Sequence, residues 1–307
     1  MNILVGYTGF VGSNIKANMK FDYVFNSKNI EDAFGLEPDL LVYAGVPAEK
    51  FIANKNPEQD RAIIENAIEN IKKINPKKIV LISTIDVFNK PNNKDENAVV
   101  DEENLEAYGL NRRYLEKWVE SNINQAHILR LPGLFGKNIK KNFIYDCIHY
   151  IPKLLNETKY NELKRKDKRI EQYYDLLPNG FYGCNCTTDI ERRECIEVLK
   201  KIGFSALNFT DSRGLFQFYN LFYLSTHIEI AINNNLKYLH LAVEPVRVSE
   251  LYDYLYHEVF VNEIVKVIPI YDFKTCYNQL FQGSHGYIFS KTQVLKEIKE
   301  FIEGEQQ

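Results

Sequence analysis

Met1-Asn-Ile-Leu-Val-Gly6-Tyr-Thr-Gly9-Phe-Val-Gly12-Ser-Asn-Ile15 is the stretch on which the reading of the fold turns. Ile3, Leu4 and Val5 are a short apolar run and read as a buried strand. Gly6, Gly9 and Gly12 follow at G-x-x-G-x-x-G spacing, and Ser13 to Met19 has helical composition. A strand, a glycine turn and a helix in that order let a dinucleotide pyrophosphate rest on a helix N-terminus. Gly6 turns the chain off the strand, Gly9 lets backbone approach phosphate, and Gly12 lets helix and strand pack closely. Thr8, Phe10 and Val11 lie inside the same turn and join the glycines as expected cofactor contacts. The competing reading is a glycine turn in some other βα unit.

The chain around this motif is long enough, at 307 residues, for a large core and one or two domains. Apolar residues make up 45% and charged residues 26%, an ordinary globular balance. A net charge of −3 implies no bulk attraction to nucleic acid or to an anionic membrane. No apolar run is long enough to span a bilayer, and the N-terminal pattern is not that of a signal peptide. A cytoplasmic location is expected. Cys147, Cys184, Cys186, Cys195 and Cys276 are an odd set without a secretion signal, which argues against a disulfide framework. Cys184, Cys186 and Cys195 lack a fourth ligand at usual spacing and there is no C-x-x-C, so free thiols and no metal are expected.

Downstream, Tyr23-Val-Phe25 reads as a second strand ending in Asn26-Ser27-Lys28. NAD-preferring sites place a carboxylate at this strand end to bind the adenosine ribose. None is present here, and Ser27 and Lys28 would tolerate a 2′-phosphate, which favours NADP. The alternative has Asn26 on the ribose and Lys28 as a solvated surface charge. Pro38 to Tyr43 is a further buried strand, followed by Ala44, Gly45 and Val46, small enough for a cofactor to lie against. Asn56 reads as a cap for a helix to Ile74 with apolar positions at helical spacing. Lys78 to Ser83 is another buried strand, continuing into Thr84-Ile-Asp86-Val-Phe88. Leu105 to Asn122 is a strong helix with an expected apolar stripe of Leu110, Tyr114, Leu115, Trp118 and Val119. His127 to Arg130 is a strand. This alternation argues for an α/β fold with a doubly wound parallel sheet. Residues 151–200 read as charged and helix-like, Ser205 to Phe209 as a strand, Tyr238 to Ala242 as a returning strand, and Ser249 as a cap for a helix to about His257. The last helix is expected from about Lys291 to Glu303.

Three residues carry chemistry together: Thr84 at a strand end, Tyr108 early in a helix, and Arg112 one turn on. Tyrosine and arginine at i, i+4 share a helix face. A tyrosine is a poor base at neutral pH unless a cation stabilises its phenolate. A hydroxyl such as Thr84 can orient a substrate oxygen beside it. The set suits hydride transfer at a carbonyl or alcohol carbon, with tyrosine handling the proton.

Gly6-x-x-Gly9-x-x-Gly12, Ser83-Thr84-Ile-Asp-Val-Phe88, Tyr108-x-x-x-Arg112 and Leu129-Arg130-Leu-Pro-Gly-Leu-Phe-Gly136 together resemble the short-chain dehydrogenase/reductase superfamily. The branch they resemble is the extended, epimerase/dehydratase one, of sugar-nucleotide type. Val243 to Leu251 is similar to a segment opening a late helix in sugar-nucleotide epimerases. The match covers roughly the first 136 residues and is sparse beyond. The resemblance implies a Rossmann-type NAD(P)-binding domain over 1–136 and a smaller α+β, mainly substrate-binding region over 137–307. Segments from about 205 to 242 would return to the Rossmann sheet. It implies Thr84 as the catalytic hydroxyl, Tyr108 as acid/base, and Arg112 in the place of the usual lysine, where it would position the nicotinamide ribose. Ser83, Leu131 and Gly133 would border the cofactor. Asp86, Lys140, Asn142, Arg213 and Gln217 are the candidate substrate contacts. Arginine keeps the positive charge of lysine but is larger and does not give up its proton. Gly133 stands where many epimerases have asparagine. The expected protein is an NAD(P)-dependent oxidoreductase or epimerase acting on a nucleotide sugar or related polyol, with a homodimer implied. The alternative is a non-catalytic dinucleotide-binding sensor or partner-binding protein of the same fold.

Overall fold

The computed structural model describes residues 1–305. The chain divides into two units, the first holding residues 1–139, 215–246 and 269–298, the second 140–214, 247–268 and the residues from 299 on.

In the first unit, β1 (Asn2–Val5), β2 (Tyr23–Phe25), β3 (Leu40–Tyr43), β4 (Lys78–Thr84), β5 (Gln125–Leu131) and the late strand Tyr238–His240 form one six-stranded sheet. Every pairing in it is parallel. The order is β2, β1, β3, β4, β5, Tyr238–His240, so the chain reverses direction across the sheet at β1 and β3. In such sheets ligands bind at the strand C-termini beside this switch point. Strand ends fall level there: Val5 pairs with Tyr43, and Thr84 with Leu131. The strands are apolar on both faces because helices cover both, and Ile3, Leu41, Ile79, Leu81 and Ile128 are fully buried.

The covering helices include α1 (Phe10–Asn18), α2 (Lys50–Lys55), α3 (Pro57–Ile74) and α4 (Ala107–Asn122). The buried face of α3 is Ile64, Ala67, Ile68, Ile71 and Ile74, the stripe its spacing predicts. α2 was not legible in the sequence, and Asn56 does not cap α3 with its side chain; its amide instead donates back to the Ile52 carbonyl at 3.4 Å. The stripe expected on α4 is partly displaced. Leu115 and Val119 are buried, but Leu110 and Tyr114 are 38% and 37% exposed. Arg112 and Glu116 lie inside instead. They can do so because each meets a buried opposite charge.

The second unit departs most from its sequence reading. Three strands of two or three residues interrupt the helix-like stretch 151–200: Leu154–Leu155, Tyr174–Leu176 and Tyr182–Cys184, antiparallel with the last in the middle. Helices Glu157–Lys166 and Asp189–Lys201 accompany them, the second opened by a Thr188–Glu191 capping box. Tyr160, Leu163, Ile170, Tyr174, Cys195, Val198 and Leu199 form this core. Residues Ala206–Phe209 are a 3-10 helix rather than a strand, because Ser205 and Asn208 cap it reciprocally. Helix Val248–Tyr256 takes Arg247 as N-cap, leaving Ser249 within the helix. The last helix runs Lys291–Glu305. All five cysteines are free. Among the described residues no helix is long and apolar enough to cross a membrane, and no cluster of His, Cys, Asp or Glu is placed to hold a metal.

Candidate active site

The glycine turn sits at the switch point. Gly6 has φ +92°, open to glycine and strained for other residues, and its N–H donates to the Phe25 carbonyl at 2.7 Å. A Cβ at Gly6 would lie 2.4 Å from the Ala44 carbonyl oxygen, and one at Gly12 would lie 2.1 Å from that of Gly6. Both glycines are therefore demanded by the chain's own packing. Gly9 is not: a Cβ there would meet only the Gly6 carbonyl, at 3.3 Å. Its missing side chain leaves an open cradle at the start of α1. The helical ladder begins with Ser13 N–H donating to the Gly9 carbonyl at 2.9 Å, so the N–H groups of Phe10, Val11 and Gly12 precede it. No acidic residue stands in this first turn. The cradle, its donors and its charge suit a pyrophosphate.

Around it, Asn26 Oδ1 accepts the Lys28 N–H at 2.9 Å, an Asx turn that leaves Ser27 and Lys28 exposed at the end of β2. Ala44, Gly45 and Val46 continue from the end of β3. Leu131 ends β5, paired with Thr84, and Gly133 is exposed in the next short strand, Gly133–Phe135.

Thr84 and Tyr108 are brought together. Thr84 ends β4, and its Oγ1 accepts the Asp86 N–H at 3.2 Å, which starts the turn Ile85–Val87. The Thr84 side chain lies close to the hydroxyl of Tyr108 on the first turn of α4. Burial pushes the Tyr108 phenol above its ordinary value; Arg112 opposes this, the Asp86 charge adds to it, and Thr84 and Lys50 oppose it. Burial prevails, so Tyr108 stands as a neutral acid. Ser83, beside Thr84, donates to Glu116 Oε1 at 2.6 Å. Glu116 in turn receives Arg130 at 3.0 and 2.7 Å and Arg113 at 3.1 Å. This buried network holds the ends of β4 and β5 to α4.

Arg112 has partners of its own. It donates to Asp60 Oδ2 on α3 at 2.5 Å, to the Pro47 carbonyl at 2.7 Å and to the Tyr108 carbonyl at 3.2 Å. Its guanidinium carbon lies 3.9 Å from the centroid of the Tyr108 ring. It therefore backs the ring rather than the hydroxyl. Gln217 is buried with both amide ends occupied by backbone: it donates to Val243 and Phe273 carbonyls and accepts the Phe273 N–H. In the second unit, Arg213 forks onto Asp211 at 2.9 and 2.8 Å and reaches Glu263 at 2.8 Å. There too, Asn142 caps helix Phe143–Ile148 and Lys140 is exposed.

Sequence reasoning missed three residues here. Asp60 fixes Arg112, while Lys50 and Tyr271 both donate to Asp86 Oδ1, at 2.8 and 2.9 Å. Asp60 carried a signal: it is a carboxylate at a position of α3 that faces inward. Lys50 and Tyr271 carried none, since only the tertiary fold brings residues 50, 86 and 271 together.

The fold is thus a Rossmann-type α/β fold with its hydroxyl pair at the C-terminal edge of a doubly wound sheet. No family model and no curated protein matches the sequence. Solved structures match it along its length. The dTDP-4-dehydrorhamnose reductase of Bacillus anthracis, solved in complex with NADP, gives a TM-score of 0.62 at 14% identity, over 99% of this chain and 97% of that one. The GDP-D-glycero-L-gluco-heptose synthase of Campylobacter jejuni, solved in the presence of NADPH, gives 0.59 at 14% identity, over 100% and 98%. The UDP-N-acetylglucosamine 4-epimerase of Bacillus cereus gives 0.54 at 12% identity, over 100% of both chains. These proteins are members of the extended short-chain dehydrogenase/reductase family, whose motifs the sequence resembles. At such identities the likeness establishes the fold.

Proposed function

We propose that the chain is an NAD(P)-dependent oxidoreductase or epimerase of the extended short-chain dehydrogenase/reductase type, acting on a nucleotide sugar or related polyol. The observation that carries this is the pairing of Thr84 with Tyr108 at the sheet edge that also holds the glycine cradle. A nicotinamide dinucleotide would supply or accept the hydride. Residues Gly6 to Gly12 would hold its pyrophosphate, Asn26 to Lys28 its adenosine ribose, and Ala44 to Val46 the backbone wall beside it. The absence of a carboxylate at the end of β2, with Lys28 exposed, supports NADP over NAD. So do the NADP and NADPH of two structural neighbours.

In the reductive direction, Thr84 donates a hydrogen bond to the substrate carbonyl oxygen and Tyr108 gives it a proton. The carbon gains hydride as the C=O π bond breaks, leaving an alcohol and a phenolate. The neutral, buried state of Tyr108 supports this direction. Arg112 steadies the tyrosine ring and its charge favours the phenolate that forms. Among the candidate substrate contacts, Asp86 stands next to the hydroxyl pair and Lys140 has an exposed ammonium. A cytoplasmic homodimer belongs to the same reading.

The test is turnover of 4-keto nucleotide sugars with NADPH and with NADH. The wild type is expected to favour NADPH. Tyr108→Phe is expected to lose about 10²–10⁴-fold in kcat with cofactor affinity kept. Tight cofactor binding without turnover on any nucleotide sugar would overturn the proposal in favour of a sensor.

A further inference from the structure

Two cations stand near Tyr108, and they differ in freedom. Arg112 is locked by Asp60 and two carbonyls, and a guanidinium keeps its proton. Lys50 is 41% exposed at its side chain and is held by Asp86 at 2.8 Å and by the Tyr271 hydroxyl at 3.3 Å. An ammonium on a four-carbon stem can turn between partners.

The backbone joins this pair to the hydroxyl pair on both sides. Asp86 is capped by Thr84, and its carbonyl packs against Gly109, the residue after Tyr108. On α2, Asn54 accepts the Tyr108 N–H at 2.9 Å and donates to Glu106 at 2.6 Å. Lys50 is thus fixed at its helix, and its ammonium is held by Asp86 and Tyr271 on a stem that can turn. Asp86 receives both its side-chain bonds on Oδ1.

We propose that Lys50 and Asp86 form a charge pair that sets the ionisation of Tyr108, with Lys50 as the movable cation of the site and Tyr271 as the anchor of both. This rests on the reading of Tyr108 as the proton carrier. Lys50 and Asp86 are positioning residues that act through Tyr108. Turning the ammonium from Asp86 toward Tyr108 favours the phenolate, and turning it back favours the phenol. The opposite signs of the two charges at the Tyr108 hydroxyl agree with this. The other charged and titratable groups around Tyr108 are Arg112 on its own helix, Asp60 on α3 behind Arg112, Glu106 at 4.0 Å from Lys50, and Tyr271.

The experiment reads the Tyr108 ionisation directly, without turnover. Tyrosinate absorbance is recorded after a rapid pH jump, before unfolding, as the difference between each protein and its Tyr108→Phe counterpart. Lys50→Met is expected to raise the Tyr108 midpoint by about half a pH unit or more, and Asp86→Asn to lower it by a similar amount. The double variant returns near the wild type, and Lys50→Arg stays there. A midpoint unmoved by either single change, or moved the same way by both, overturns the proposal. Asp86→Asn and the double variant decide the matter even where Lys50→Met does not fold. Because the readout needs no substrate, a failed function assay and a failed charge pair are told apart.

Discussion

Arg112 shows what one residue's surroundings do to its role. Its partner Asp60 is as buried as it is, each side chain 6% exposed. Asn111 also donates to the same carboxylate oxygen, at 2.8 Å. Removing one member of such a pair leaves a buried charge without compensation, which costs about 3–5 kcal/mol. Asp60→Ala is therefore expected to lower stability by about that amount in urea denaturation; an unchanged midpoint would show that Arg112 finds water instead. At this scale the sequence was legible where the candidate residues lie in contiguous runs. The glycine turn, Thr84 and Tyr108 each sit in a local pattern that fixes their place at a strand or helix end. Lys50, Asp60 and Tyr271 come from separate segments, and no spacing rule relates them to residues 86 and 112.

Among the elements, α4 bears most directly on the site. Gly109 in its first turn looks like a flaw, since alanine is the better helix former by about 1 kcal/mol. A Cβ at 109, however, would lie 2.1 Å from the Asp86 carbonyl oxygen. Backbone cannot yield there as a side-chain tip would, so the clash outweighs the propensity. Gly109→Ala is expected to destabilise by about 1–3 kcal/mol, seen as a lower Tm, where helix propensity alone calls for a rise. The hydropathy stripe of α4 misleads for a related reason: it places apolar residues inward, and here ion pairs occupy that face. The strands of the second unit escaped notice because two or three residues are too few to show a period. In the first unit, by contrast, the long strands and helices were legible because each carries several apolar positions in phase.

At the scale of the whole molecule, two buried histidines tie stability to pH. Burial, reinforced by Arg130, pushes His240 down to about 3. It lies 3.2 Å from an Arg130 nitrogen, which can only donate, so its Nε2 accepts and its Nδ1–H donates to the Lys274 carbonyl at 3.0 Å. Burial pushes His227 down to about 4. Unfolded, both take up protons near their ordinary 6.5; folded, they do not. Their folded values are depressed, so their stabilising contribution is present above pH 6.5 and is lost as pH falls toward 4 and 3. By pH 5 the loss is on the order of 2 kcal/mol for each. Urea midpoints measured from pH 7.5 down to 5 are expected to fall, and a flat profile would contradict the buried neutral state of both rings.

The sheet ends with a strand made late. Tyr238–His240 closes the side of β5, and it also brings the Tyr238 hydroxyl to Arg113 and the His240 ring to Arg130. The network that holds Ser83, and with it Thr84, is thus incomplete until residue 240 has been synthesised, and Asp86 gains its anchor only with residue 271. During translation the first strands emerge long before the parts that steady them. A nascent chain stopped at residue 139 would carry the glycine turn, Thr84, Tyr108 and Arg112 with an open β5 edge, and would lack the contacts that Tyr238, His240 and Tyr271 add.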